Sequence, residues 1–443
     1  MTLTDKSDRS TTGAQQRRAV VAGSVGNFIE WYEFGVYGFL ATIIAKNFFS
    51  AEGGSDLEAL IKTYASFALA FFFRPVGAAL FGRIGDRIGR RPTLIMVLLL
   101  MSGATTLIGL LPTYASIGIA APLLLTGIRI LQGLSAGGEF GGAVSVMTEF
   151  APPGRRGLYG SWQSFTVALG LLAGAGISAI LASVLTVTQL NAWGWRIPFL
   201  IALPMGLVAL WLRLKLEETP SFQRVEQAVK VGGADVAAVV RKPGPGEVFR
   251  VIALGIGRLM GWSAAGYTFL VVIPAYLQTS LNASFQQALI ATVLANLGFA
   301  LTIIPAGLLS DRLGRRVVML SGTMLIIVLA LPLLNVLQDP GAGVVTKGLA
   351  VFVAGAVVGL MAGPGPAMLS EMFPTTVRYT GLGLAYSLSN AVFSGCAGLI
   401  ITALIASTAN LDIPAYYVMA VCLVSAVALA TLRNDAHHQA LRD

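Results

Sequence analysis

The sequence predicts an all-α integral membrane protein, with twelve transmembrane helices in two pseudo-symmetric six-helix bundles. Three observations lead there. Apolar residues make up 55% of the chain and charged residues 12%, and the mean hydropathy is +0.76, well above that of a water-soluble domain. The apolar residues fall in runs of about 20 or more, enough to cross a bilayer core about 30 Å thick. A ten-residue string, G-x-x-x-D-R-x-G-R-R, occurs twice, at Gly82–Arg91 and at Gly307–Arg316, each time between long apolar runs. A chain built twice around a basic turn between hydrophobic helices points to a membrane transporter.

Taken in order, the spans are expected at 19–45, 57–82, 92–111, 116–149, 157–185, 195–214, 249–277, 284–309, 317–337, 346–371, 379–405 and 413–432. Residues 1–18 are polar and Ser/Thr-rich, with no apolar stretch ending in a cleavage site, so they are expected to be a cytoplasmic tail and not a removed signal. Residues 217–247 are the longest polar stretch and contain Pro220, Gly232, Gly233, Pro243 and Gly246. They read as a cytoplasmic linker between bundles at 19–216 and 248–433, and residues 434–443 as a short cytoplasmic tail.

Orientation follows from the basic residues. Of 30 Lys and Arg, only Lys46, Lys62, Arg196 and Lys347 fall on outer segments, and Arg74, Arg129 and Arg258 are the ones read within spans. The rest lie on the side of both termini, which is therefore expected to be cytoplasmic. The same arginines, facing anionic headgroups, account for the net charge of +9 without any nucleic-acid partner. Cys396 and Cys422 lie within the last two spans, show no metal or redox spacing and read as packing residues. No cofactor and no metal are expected.

The chain resembles the major facilitator superfamily and, within it, the metabolite:proton symporter family, which includes permeases for 2-oxoglutarate, citrate, shikimate and proline/betaine. The doubled motif and RILQG at Arg129–Gly133 carry the superfamily resemblance. Family-level matches are GNFIEWYEFGVYGFLA at Gly26–Ala41, FFFRPVGAALFGRIGDRIGRRP at Phe71–Pro92, GGEFGGA at Gly137–Ala143 and SEMFPTTVRYTGLGLAY at Ser370–Tyr386. The resemblance implies that the doubled motif latches the inner face in the outward-open state. Its residues are Gly82, Asp86, Arg87, Gly89 and Arg90 in the first copy and Asp311, Arg312, Gly314 and Arg315 in the second. Physically, the glycines permit tight turns, and each aspartate can accept from a helix N-terminus or an arginine.

Charge inside the bilayer gives a second signal, because an ionisable side chain at mid-membrane costs about 2.5–3.5 kcal/mol. Glu30, Glu33, Arg74, Arg129, Glu139 and Arg258 must therefore pair or face water. Asn27, Glu30, Glu33, Phe34 and Tyr37 recur at three- and four-residue steps, so one stripe of the first span is polar and aromatic and faces a cavity. Glu33 and Arg129 both fall near the midplane. In the register that superposes the two halves, Glu149 falls on Glu371 and Arg156 on Arg378, all at span ends, whereas the deep charges have no counterpart. Shared residues suit a gating framework; the unshared acids Glu33, Glu30 and Glu139 suit proton coupling. A guanidinium and a low dielectric oppose each other in setting a carboxylate's proton affinity, so the approach or departure of Arg129 would switch Glu33. Fixed Glu30–Arg74 or Glu33–Arg129 pairs are the structural alternative. The family more often has Asp where this chain has Glu33.

For the substrate, Arg129, Arg74 and Arg258 suit a carboxylate, with Tyr37, Gln163, Tyr386 and Asn390 as further contacts or interhelical hydrogen-bonding residues. The expected activity is proton-coupled import of a small organic acid by alternating access, with the single chain as the functional unit in the lipid bilayer. If Glu30 and Glu33 already neutralise Arg74 and Arg129, a zwitterion of the proline or betaine type fits instead, and Trp31, Tyr32, Trp262 and Tyr267 suit a quaternary ammonium. Against that, osmosensing members of the family carry a long C-terminal extension, and here ten residues follow Arg433. An enzyme is disfavoured, because the two histidines are His437 and His438 in the tail and no nucleophile–base set or phosphate loop appears. A nutrient sensor on a transporter scaffold would be expected to carry a soluble output domain.

Overall fold

The computed structural model describes residues 13–50, 55–88, 90–149, 151–152, 154–214, 244–373 and 375–433. The predicted linker at 217–247 lies almost wholly outside them. In the first half, α1 is Gly13–Phe39, α2 Asp56–Ile88, α3 Arg90–Leu110, α4 Ala120–Ala136 with a continuation at Phe140–Glu149, α5 Arg156–Val184 and α6 Arg196–Leu214. In the second, α7 is Pro245–Tyr267 with a continuation at Ile273–Leu281, and α8 is Phe285–Leu313. These are followed by α9 Arg315–Gln338, α10 Val344–Ala362 with Gly365–Met372, α11 Thr375–Ser389 with Ala397–Thr408, and α12 Ile413–Ala430. Among the described residues ten helical stretches are long and apolar enough to cross a membrane. The two expected spans outside that count are the first, which holds Glu30 and Glu33 and joins the polar N-terminal segment, and the fourth, broken at Gly137-Gly138-Glu139.

The doubling seen in the sequence reappears in the packing. In the first half α1 packs on α5, α2 on α4 and α3 on α6; in the second α7 packs on α11, α8 on α10 and α9 on α12. Each pair is the other advanced by six helices. The halves meet through α5 on α8 and α2 on α11, again related by six. Pairing follows small residues, as expected where apolar lipid provides no hydrophobic drive and only close approach gains contact. At the α5–α8 crossing Gly157 and Gly307 face each other, and a Cβ on either would run into the other's carbonyl oxygen.

Three details depart from the sequence reading. The second basic motif is hardly a loop: α8 runs helical to Leu313 and α9 starts at Arg315, so the turn is Gly314 alone, at φ +92°, a conformation that glycine adopts without a Cβ penalty. The first helix starts at Gly13, inside the stretch read as tail. Of four π-helical turns, Thr268–Val272 and Asn390–Gly395 interrupt spans that the hydropathy pattern shows as continuous, while Ala45–Phe49 and Leu190–Gly194 lie at or beyond the expected span ends. Such turns cluster at functional sites, and two of them border the central cavity.

Candidate functional site between the two halves

Between the halves lies a narrow, partly open cavity. Its aromatic walls are Trp31 of α1, Trp262 and Tyr267 of α7 and Tyr386 of α11; Ser263, Asn390 and Ser394 supply its polar groups. None of its lining side chains is charged. The polar groups are largely spoken for. Ser394 Oγ donates to Asn390 Oδ1 at 2.8 Å and lies 3.1 Å from the Ser263 carbonyl, Asn390 Nδ2 donates to the Tyr386 carbonyl at 2.9 Å, and Ser263 and Ser389 share a 3.2 Å contact. Tyr386 crosses the interface and stacks on Phe140 of the first half, with ring centroids 3.4 Å apart and planes at 4°.

The charges sit behind this lining, inside the first half. Arg74 of α2 pairs with Glu30 of α1 at 3.1 Å. Its guanidinium also lies 4.3 Å from the ring centroids of Phe34 and Phe71, a geometry that stabilises a buried cation. Arg129 of α4 lies 4.1 Å from the Tyr37 ring and 4.9 Å from Phe34 and Phe67, and Nη1 donates to Gln132 Oε1 at 2.7 Å. Gln132 Nε2 in turn donates to Thr105 Oγ1 at 2.5 Å. Glu33 is fully buried and neither carboxylate oxygen has a hydrogen-bond partner; Ser102 and Thr105 of α3 stand beside it.

Of the two pairs weighed from the sequence, Glu30–Arg74 forms. Glu33 and Arg129 are not in contact: Arg129 keeps Nε and Nη2 without partners, and its link toward Glu33 runs through Gln132 and Thr105. Gln132 is a site residue that the sequence reading passed over, although it lies one helical turn from Arg129 in RILQG.

Glu139, at the break in α4, is bound by Arg213 of α6, which also donates to the Leu94 carbonyl at 2.5 Å. Arg213 was read with the inner basic residues; it is buried, 3% exposed. Its position as the penultimate residue of an apolar run concealed it. Since removing one member of a buried pair costs about 3–5 kcal/mol, Arg213→Ala should sharply lower the detergent-solubilised melting temperature, and Arg213→Ala with Glu139→Gln should regain much of the loss. A single variant as stable as wild type would show that the pair contributes nothing.

Arg258 does not reach the cavity. Nε donates to the Ala428 carbonyl at 3.3 Å and Nη2 to Thr431 Oγ1 at 3.0 Å, so it binds one carbonyl and one hydroxyl at the C-terminal end of α12, where a cation is favoured. Tyr37 bonds Ser66 at 2.6 Å and faces Arg129 instead of the cavity. Gln163 belongs to an α1–α5 network: Asn27 Nδ2 donates to its carbonyl at 3.0 Å and to Thr166 Oγ1 at 2.7 Å. Of the expected substrate contacts, Tyr386 and Asn390 line the cavity.

Where the N-terminus of α5 meets the C-terminus of α8, on the side expected to be cytoplasmic, Asp311 accepts from the backbone N–H groups of Gly157 and Leu158 at 2.7 and 2.9 Å. Arg315 binds Asp311 at 2.7 Å and Glu371 at 3.0 Å, and Arg156 lies 3.7 Å from Glu371. Arg312 is exposed. In the first copy of the motif Gly82 is helical; Gly89 and the side chains of Asp86, Arg87 and Arg90 lie outside the described residues, as do those of Glu149 and Arg378.

Residues 19–238 match the family model described as sugar (and other) transporter, and residues 252–443 that of the Major Facilitator Superfamily. The proline/betaine transporter of Escherichia coli (strain K12) is 36% identical, over 95% of this chain and 84% of that protein. The citrate-proton symporter of Klebsiella pneumoniae is 35% identical, over 96% of each chain. Among solved structures, a D-xylose-proton symporter superposes with a TM-score of 0.73 at 18% identity, covering 96% of this chain and 99% of that one, a likeness of fold. With twelve helices paired alike in two halves and whole-length relatives of this kind, the chain belongs to the major facilitator superfamily, in its metabolite:proton symporter family, and is a multi-pass membrane secondary transporter, not an enzyme.

Proposed function

We propose that this transporter couples inward proton movement to uptake of a small zwitterion carrying a quaternary or secondary ammonium and a carboxylate, of the proline and betaine kind. The observation that carries this reading is the contrast between cavity and cluster. The cavity is walled by Trp31, Trp262, Tyr267 and Tyr386 and lined by no charged side chain, while Arg74 is already matched by Glu30 at 3.1 Å. Aromatic faces attract a desolvated ammonium. A tricarboxylate would enter a site that offers no free cation at its wall, whereas a solute of zero net charge costs far less to desolvate. The names of the proline/betaine relatives agree with this choice; the citrate-proton symporter marks the competing one.

The proton is assigned to Glu33, and Glu30 and Glu139 to the pairs that keep Arg74 and Arg213 neutralised. With Glu33 ionised, the three acids balance Arg74, Arg129 and Arg213; a proton on Glu33 leaves Arg129 uncompensated and raises the positive potential behind the cavity, which favours the solute's carboxylate. Loading the proton and loading the solute thus assist each other, as coupling requires. The excess of Lys and Arg on the segments that share a side with both termini supports a cytoplasmic location for the termini, and the single chain is taken as the working unit. In proteoliposomes under an inward acid gradient, labelled proline or glycine betaine should accumulate and excess unlabelled citrate should not compete. Displacement by citrate with no effect of betaine would overturn the zwitterion reading.

A further inference from the structure

Tyr267 is the last residue of α7, just before the π-helical turn Thr268–Val272. Its backbone belongs to the second half, but its ring lies among the first: 5.3 Å from Phe71 at 88°, 6.0 Å from Trp31 and 6.1 Å from Phe67. The residue is 5% exposed and lines the cavity, and its hydroxyl is buried with no hydrogen-bond partner. A buried phenol normally finds an acceptor, and one left without it costs about 1–3 kcal/mol. By contrast, Ser394 and Asn390 on the same lining are bonded to neighbours.

The charges around that hydroxyl decide what it would hold. The Arg74 guanidinium lies 4.3 Å from the Phe71 ring centroid and 5.6 Å from that of Trp31, the same two rings that Tyr267 packs on. That cation makes the spot suited to negative charge, while the faces of Trp31, Trp262 and Tyr386 suit positive charge. A partnerless phenol O–H on a residue that lines a cavity, with a guanidinium packed on the same rings, is a donor for an anionic oxygen.

We infer that Tyr267 is the specificity-determining donor of the substrate site: its hydroxyl binds the carboxylate of the solute while the surrounding aromatic rings take the ammonium end. This rests on the zwitterion reading above and adds the residue that distinguishes a carboxylate-bearing solute from a plain quaternary ammonium. The arginines then act through Tyr267, without touching the solute themselves.

Tyr267→Phe keeps the ring that packs on Phe71 and Trp31, so folding is preserved and only the donor is removed. The test is titration of wild type and variant with glycine betaine and with choline, which has the trimethylammonium but no carboxylate, read by the fluorescence of Trp31 and Trp262 and by competition with labelled uptake. The expected result is a roughly 10- to 100-fold weakening for betaine, as for loss of a hydrogen bond to a charged group, with choline binding unchanged. Unchanged betaine affinity overturns the inference, and so does an equal loss for choline, which would mean that Tyr267 merely shapes the cage. Where choline binds too weakly to measure, the betaine titration alone decides. Wild-type protein that ignores betaine altogether defeats the zwitterion reading, a separate failure.

Discussion

Glu33→Gln is expected to abolish concentrative uptake while leaving solute exchange intact. The carboxylate is fully buried and both its oxygens lack hydrogen-bond partners, so the ionised form has no cation in contact to compensate it. Glutamine reproduces the shape and neutrality of the protonated acid and fixes that state. A carrier that is permanently loaded can still swap labelled for unlabelled solute across the membrane, because exchange needs no net proton movement. It cannot use the gradient. One proton entering with a zwitterion moves one positive charge, worth about 2.3 kcal/mol at 100 mV, or roughly fifty-fold accumulation; the variant should fall to a ratio near one. The measurement is the steady-state ratio in proteoliposomes under an imposed potential and acid gradient, beside counterflow in the same vesicles. Concentrative uptake retained by Glu33→Gln would move the proton elsewhere. Glu30→Gln is the control, because it strips Arg74 of its partner and should impair counterflow as well.

The two halves of that argument were not equally open to sequence reasoning. The burial of Glu33 was legible, since a three- and four-residue stripe containing Asn27, Glu30, Glu33 and Tyr37 has to face inward. The division into two pseudo-symmetric halves was legible too, because a repeated motif implies a repeated fold. Which charge meets which was legible only in part: of the two pairs weighed, Glu30–Arg74 forms and Glu33–Arg129 does not. Arg74, Arg129 and Arg258 look alike as single arginines deep in apolar runs, but rotation of the helix about its own axis decides the partner, and hydropathy fixes that rotation only coarsely. So Arg74 found Glu30, Arg129 turned onto Tyr37 and Gln132, and Arg258 faced the end of α12. Arg213 was hidden by its place near a helix end, where a basic residue is ordinarily a solvated flank. Tyr267 was read as one aromatic among several, because whether a hydroxyl has a partner is a fact of three dimensions. The π-helical turns left no hydropathy signature: one extra residue per turn shifts a face without changing its composition.

Asp311→Ala is expected to open the inner face. The carboxylate of Asp311 accepts two backbone N–H groups from the first turn of α5 and also holds Arg315, which in turn holds Glu371. The acceptor therefore belongs to the second half and the donors to the first, so these bonds exist only while the inner ends of α5 and α8 are together. Close approach of Gly157 and Gly307 brings them there, and the positive end of the α5 dipole strengthens the grip on a negative charge. In an alternating-access cycle that parts these ends, the bonds would be made in one conformation and lost in the other, so their energy would act directly on the equilibrium between them. Loss of hydrogen bonding by a charged group withdraws about 1.5–3 kcal/mol, so the inner-open population should rise roughly 10- to 100-fold. Spin labels at the exposed positions Arg155 and Arg312 would report this as a longer inter-label distance in Asp311→Ala than in the otherwise unaltered protein. Asp311→Asn, which keeps one acceptor oxygen but loses the charge, should fall between the two. If all three proteins give the same distance distribution, the inner ends are held by helix packing at the glycines alone, and the aspartate has no part in closing them.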